Sequence, residues 1–144
     1  MADAALSIRA ATFKDAPVVA GFAADLALSS PPDADGVAGA LAALVGQFGV
    51  GVLIAEHELE PVGYVVVHRL PALFAGGVVA VVEELYVVPE RRGEGIGAAL
   101  MERAEGVAHD WGAAYVCVAT SRAVDFYKAL GYEPTARFLK KGLD

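Results

Sequence analysis

The 144-residue sequence predicts an α/β fold, with a mixed, mostly antiparallel sheet that contains one parallel βαβ pair. Three observations carry that prediction. Apolar runs at 50–56, 62–70 and 78–88 succeed one another across short polar or Pro/Gly-containing breaks, as antiparallel neighbours do. A further apolar run, Tyr115–Val118, follows a segment in which Ile96, Leu100, Ala104, Val107 and Trp111 fall on one helical stripe. A strand, a helix and a strand in that order pair in parallel.

Taken in order, Ser7–Ala10 reads as a short first strand. Thr12 can cap a helix starting near Asp15-Ala16-Pro17, with proline in the first turn and apolar residues at Val18, Phe22 and Leu26. Ser29-Ser30-Pro31-Pro32 breaks it, because proline cannot continue a helix and restricts the residue before it. A second helix covers Asp35–Val45 despite Gly36 and Gly39. Val50–Glu56 and Val62–Leu70 form an antiparallel pair across the polar segment His57–Pro61, and Pro71–Gly77 reads as a loop. Val78–Val88 is the long central strand, ended by Pro89, and the helix of the βαβ unit runs from Gly95 to about Trp111. Tyr115–Val118 is a short buried strand. Ser121 can cap a helix ending at Gly131, and Tyr132–Lys140 closes the sheet as a last strand. The expected order is β-α-α-β-β-β-α-β-α-β, in a single domain spanning residues 1–144.

Composition sets the outer bounds. Apolar residues make up 56% and charged residues 20%, enough for a sizeable core and too apolar for a disordered chain. No apolar run reaches the roughly 18 residues of a membrane span, and Met1-Ala2-Asp3 lacks the basic start of a signal peptide. The one cysteine, Cys117, excludes an intramolecular disulfide and a cysteine-rich zinc site. The economical expectation is a cytoplasmic protein without a membrane partner. A net charge of −7 disfavours a nucleic-acid footprint, which needs a basic face, but not one local anion site. His57, His68 and His109 share no metal-like spacing, so no metal is expected; His68 ends a strand and is a minor candidate for a base. Cys117 reads as inert core, as do Phe13, Phe22 and Trp111, and Tyr86 as a pocket wall.

Chemistry concentrates in the stretch from Val82 to Gly97. Gly93, Gly95 and Gly97 leave the backbone unobstructed at a helix start, where orphan N–H groups and the helix dipole favour an anion. Arg91 and Arg92 add positive charge. A solvated strand-to-helix turn is the competing reading, and three glycines with paired arginines weigh against it. A Walker-type loop is excluded because no Gly-Lys-Ser/Thr follows. A dinucleotide fingerprint, Gly93-x-Gly95-x-x-Ala98, needs an acidic residue after the next strand, where this chain has Ala119-Thr120. Immediately before the cradle stand Glu83 and Glu84, which alternation along a strand sends to opposite faces. One of them can act as a general base; each alone also reads as an anchor for a basic side chain.

Arg92-Gly93-Glu94-Gly95-Ile96-Gly97 matches the Arg/Gln-x-x-Gly-x-Gly/Ala signature of the GNAT acyltransferase superfamily. Glu83-Glu84-Leu85-Tyr86-Val87 resembles that family's central strand, and Ala123–Tyr132 is similar to its late helix, Ala-x-x-Phe-Tyr-x-x-x-Gly-Phe/Tyr. The opening Ile8-Arg9-x-Ala11-Thr12-x-x-Asp15 is similar too. The resemblance covers nearly the whole chain, in order.

It implies transfer of an acetyl group from acetyl-coenzyme A to a primary amine. The backbone of Arg92, Gly93, Gly95, Gly97 and Ala98 would hold the pyrophosphate, and main-chain groups of Leu85 and Val87 the pantetheine arm, in a splay between 85–88 and 115–118. Arg122 would contact the nucleotide phosphate. The resemblance makes Glu83 the general base, with Glu84 second, and Tyr127 the acid that protonates the leaving thiolate. Phe126 beside it is expected in the core, and Val87 would donate its N–H to the thioester oxygen. Where relatives carry an asparagine before the late helix this chain has Thr120, so Thr120 or Ser121 is the expected replacement. The acceptor is a small-molecule or peptide amine, in a pocket bounded by the first two helices, the 71–77 loop and the C-terminal strand. At family level the resemblance also implies a homodimer. The alternative function is a catalytically degenerate regulatory module that binds coenzyme A.

Overall fold

The structure, a computed structural model, describes residues 5–27 and 31–143. Strand β1 (Leu6–Ala10) leads into a single 3-10 turn and helix α1 (Ala16–Leu26). Thr12 accepts from the Lys14 N–H while Asp15 accepts from the Thr12 N–H, a reciprocal cap that fixes where the helix begins. Helix α2 (Ala34–Leu44) is capped by Asp33, whose carboxylate accepts from the Gly36 N–H at 2.6 Å. Ser29 and Ser30 of the expected break lie outside the described residues.

Strands β2 (Val50–His57), β3 (Glu60–Ala72), β4 (Gly77–Val87) and β5 (Val116–Val118) complete a sheet of order β1-β2-β3-β4-β5. All pairings are antiparallel except β4 with β5, which α3 (Ile96–Asp110) connects in parallel. The short helix α4 (Val124–Ala129) follows. No helix of the described residues is long and apolar enough to cross a membrane.

Alternation along the strands gives the sheet two buried faces. Leu53, Ala55, Val65, Val67, Ala80 and Val82 pack under α3 and Tyr127 of α4. Val52, Ile54, Tyr64, Val66 and Tyr86 pack under Val19 and Phe22 of α1 and Leu41 of α2. At the edge of the second face Arg9 forms a fork with Asp15 (2.7 and 2.9 Å) and reaches Glu56 (3.1 Å), tying β1, the first turn and β2 together. The guanidinium holds the buried Asp15 carboxyl below its ordinary range.

Several expectations need correction. Tyr132–Lys140 forms no strand: the backbone bond from Tyr132 N–H to Tyr127 C=O turns the chain at the end of α4, and residues 133–143 are exposed throughout. The Tyr132 hydroxyl donates to Glu105 of α3 at 2.6 Å, which draws the chain away from β5. Pro71–Gly77 is not all loop, because the β3–β4 ladder continues to Ala72↔Gly77; only the 3-10 turn Leu73–Ala75 and Gly76 connect the strands. Cys117 is exposed, not core, since β5 is an edge strand on which Val116 and Val118 face the helices and Cys117 faces away. Phe13 is 68% exposed, because the cap places it outside both cores, whereas Phe22 is buried and Trp111 packs partly against α3's core. Thr120, not Ser121, accepts from Ala123 N–H at the start of α4 (2.9 Å).

Candidate active site

A β-bulge sets the site's geometry. Val67 pairs with Val82 and Val66 with Glu84, so Glu83 is an extra residue on β4 without a partner on β3. Before the bulge Val78 and Ala80 point their peptide groups at β5, through Val78 C=O to Ala114 N–H and Ala80 N–H to Tyr115 C=O. After it the phase is reversed. Val88 N–H bonds to Val62 C=O of β3, so the peptide groups of Leu85 and Val87 face the β5 side instead.

On that side the ladder has already ended. β4 and β5 pair only at Ala80↔Val116, Val81↔Cys117 and Val82↔Val118, so the two strands part where Glu83 begins. Leu85 and Val87 therefore offer main-chain groups to a widening gap at the carboxyl ends of a parallel pair. Arg92 shows that the gap is accessible to a donor: its Nε donates to Val87 C=O at 2.9 Å. The guanidinium also lies 5.6 Å over the Tyr86 ring.

The loop from Arg92 to Gly95 brings the chain from β4 to α3. Gly93 (φ 82°) and Gly95 (φ 89°) take the left-handed conformation that residues with a Cβ avoid. Gly95 is the N-cap and makes no side-chain cap, so the first N–H groups of α3 face outward at the mouth of the gap. Arg91 is engaged elsewhere, with Glu94 at 3.3 Å and His57 Nδ1 at 3.1 Å. Gly97 is needed for close approach: a Cβ there would lie 3.2 Å from the Phe126 ring, which brings α4 over the start of α3. Ala98 is half-buried beneath it.

The two glutamates part company. Glu83 is exposed at the bulge, and its charge, after burial, helps push the Cys117 thiol up from its ordinary value. Glu84 lies on the α1/α2 side of the sheet, where it accepts from the buried Tyr64 hydroxyl at 2.5 Å. Burial, with Glu84 second, pushes the Tyr64 hydroxyl far above its ordinary range. Tyr86 donates to Asp25 of α1 at 2.8 Å, and burial raises its hydroxyl too. Phe22 packs on both tyrosines, with ring centroids 6.1 and 5.2 Å away.

Tyr127 is buried under α4, edge-on to Phe126 and Tyr132, and burial alone raises its hydroxyl. It stands on the helix that Phe126 seats against Gly97, beside the gap. Arg122 is exposed and lines an open hollow of about 360 Å³ with Ser121 and Asp125 at the start of α4. No group of three or more metal-ligating side chains exists among the described residues. His68 is half-buried on β3 and His109 is exposed.

Tyr64 and Asp25 were not legible as site residues. Tyr64 meets Glu84 only because the bulge brings position 84, not 83, onto its face, and no residue pattern announces that bulge.

Comparison with known proteins bears on the family and the fold. The acetyltransferase (GNAT) domain model matches residues 49–134, which hold β2 to the end of α4. An uncharacterized N-acetyltransferase of Archaeoglobus fulgidus is 47% identical over 55 residues, 38% of this chain and 37% of the relative. The chain thus spans about a third of the length of the curated relatives it matches, 37% and 31%. Among solved structures, a transcriptional regulator from Bacillus halodurans C-125 superposes with a TM-score of 0.87 at 25% identity, over 96% of this chain and 99% of the other. An aminoglycoside N-acetyltransferase in complex with CoA superposes with a TM-score of 0.83, over 96% and 94% of the two chains; at 18% identity the likeness is one of fold. With the family model matching well over half of its length, the chain belongs to the GNAT acetyltransferase family.

Proposed function

We propose that the protein is an N-acetyltransferase, working as one domain and as a homodimer, that moves an acetyl group from acetyl-coenzyme A to a primary amine of a small molecule or peptide. The observation that carries this reading is the reversal of β4 at Glu83, which turns the peptide groups of Leu85 and Val87 into a gap that β5 has left. A linear ligand bearing amides can add to such an edge as a strand does. At its open end the N–H groups of the Arg92–Ala98 segment suit a pyrophosphate. The exposed Arg122 stands where a further phosphate contact is available. The reading places the enzyme in the cytoplasm, which supplies acetyl-coenzyme A.

Bound acetyl-coenzyme A supplies a thioester whose carbonyl carbon an amine can attack. Amines are mostly protonated at neutral pH, so the chain must take a proton away. Glu83 is the base: the bulge frees its carboxylate, whereas that of Glu84 is held by Tyr64. Glu84 keeps a structural charge on the acceptor side. Tyr127 is the acid: its hydroxyl, raised by burial, stays protonated and can donate to the departing sulfur. The Val87 N–H, aimed into the gap, is the donor for the thioester oxygen.

The test is thiol release from acetyl-coenzyme A against a panel of amines, with E83Q and Y127F. Losses of about a hundredfold or more in turnover, with coenzyme A still raising the melting temperature, are expected. Near-normal turnover in both variants removes the assigned roles. Coenzyme binding without turnover on any amine would favour the degenerate regulatory module.

A further inference from the structure

Glu105 and Tyr132 take no part in the chemistry proposed above, yet they meet at 2.6 Å beside Tyr127. Among the described residues no side chain hydrogen-bonds the Tyr127 hydroxyl, and burial alone raises it. Its direction is therefore set by the two rings that flank it. Phe126 stands 5.0 Å away and Tyr132 5.7 Å, centroid to centroid, both close to edge-on at 77° and 72°.

Each flanking ring is tied to α3 at a different place. Phe126 lies over Gly97 in the first turn, where an added Cβ would stand 3.2 Å from the ring. Tyr132 is tied through its hydroxyl to Glu105, roughly two turns further on, about 12 Å along the helix axis. The turn that ends α4 brings Tyr132 back to this position. Gly131 N–H bonds to Lys128 C=O and Tyr132 N–H to Tyr127 C=O, each at 3.0 Å, with Gly131 left-handed at φ 97°.

The second tie matters because α4 is weak by itself. It has six residues, too few for an isolated helix. A hollow of about 280 Å³, lined by Ala98, Met101, Glu102, Glu105 and Leu130, leaves it incompletely packed on α3. Burial first, and then the Glu105 carboxylate, push the Tyr132 hydroxyl above its ordinary range, so it stays a donor.

We propose that Tyr132 and Glu105 are positioning residues for acetyl transfer: fastened to α3, the Tyr132 ring holds Tyr127 so that its hydroxyl meets the departing sulfur. This rests on the reading of Tyr127 as the acid and names the pair that aims it. In that step the amine nitrogen bonds to the carbonyl carbon and its proton goes to Glu83. The carbon–sulfur bond breaks, and the sulfur leaves with the electron pair and takes the Tyr127 proton, which solvent restores. A donor held loosely spends less time within reach of the sulfur, so the loss falls on the chemical step and not on coenzyme binding.

The test is thiol release by full-length Tyr132→Phe and Glu105→Ala, with coenzyme A raising the melting temperature of each as proof of folding. A loss of about tenfold in kcat is expected in both, with KM for acetyl-coenzyme A within about twofold of the unmodified chain. Glu105→Gln, which keeps an acceptor oxygen, should recover most of what Glu105→Ala loses. In a Y127F background Tyr132→Phe should cause no further loss, because no hydroxyl is left to aim. Unchanged kcat in both single variants, a loss carried by KM, or a full further loss in the Y127F background overturns the proposal. Near-normal turnover in Y127F alone overturns the acid and the positioning together. A large loss in Y127F beside an unaffected Tyr132→Phe overturns the positioning alone, so the two readings fail separately.

Discussion

Tyr64 donates to Glu84 at 2.5 Å across the β3–β4 ladder, and the residue just before Glu84 is the bulged Glu83. Two adjacent carboxylates thereby acquire different surroundings: one is held by a buried hydroxyl and the other is free where β4 and β5 part. Tyr64→Phe removes a hydrogen bond to a charged group, and an expected loss of about 1.5–3 kcal/mol in urea unfolding falls at the low end because Glu84 stays half-exposed. Its turnover should fall far less than that of E83Q. Equal losses in the two variants would exchange the roles of the glutamates.

Gly63 packs against the carbonyl of Tyr86, where an added Cβ would lie 2.4 Å from the oxygen. Gly63→Ala must push β4 aside just where it opens, so a destabilisation of about 2–3 kcal/mol is expected by thermal unfolding. The affinity for coenzyme A should fall with it, because Val87 moves with Tyr86. A variant of unchanged melting temperature would show that the strands give way at this point.

The Cys117 thiol is pushed up by burial first and by the Glu83 charge second. Glu83→Gln removes the second cause only, so the thiol pKa should fall part of the way to its ordinary value. Alkylation by iodoacetamide near pH 8 should then be faster in the variant, since the thiolate is the reactive form. An unchanged rate would separate Glu83 from the β5 edge.

Asp15 is held below its ordinary value of 3.8 by Arg9, with help from the Thr12 N–H. Its carboxylate therefore contributes stability that is fully present above that value and is lost as pH falls through the lower folded value. Asp15→Asn should cost about 1–3 kcal/mol at pH 7. The gap between the two proteins should narrow only below about pH 4. Denaturant midpoints at pH 7, 5 and 3.5 test this, and a gap already closed at pH 5 would contradict the assigned sign.

Glu58 and Leu59 both have positive φ (51° and 69°) in the two-residue turn between β2 and β3, a conformation suited to Asn-Gly. Leu59 is 86% exposed and contributes no core. Leu59→Gly should raise stability by about 0.5–1 kcal/mol, the left-handed penalty removed less the added chain entropy. A lower melting temperature would mean that Leu59 makes contacts that its exposure hides.

Much of this architecture was legible locally. The stripe from Ile96 through Leu100 to Ala104 announced α3, and the β-branched runs at 50–56, 62–70 and 78–88 announced the central strands. Thr12 and the acidic residue three positions on marked the first helical turn. The glycines at 93, 95 and 97 marked the loop because each departs from what an ordinary strand or helix would choose. The last strand was misread for a physical reason. Residues 132–140 have adequate strand character, but a strand exists only against an in-register neighbour, and Tyr132 is anchored on α3, away from the short edge of β5. Cys117 was misread in the same way, since an apolar run does not say whether both faces of its sheet are covered.

The sequence by itself determined the order of elements as far as the late helix, the anion-suited loop and the carboxylate pair Glu83 and Glu84, because periodicity, glycine placement and capping act within a few residues; Tyr127 stood out only through the likeness to the family's late helix. Only the tertiary structure decided which glutamate is free, which peptide groups meet the gap and where the sheet ends. Each of those depends on register between strands distant in sequence. One extra residue at position 83, invisible in composition, reverses the phase of β4 and turns Leu85 and Val87 toward the space that β5 leaves open.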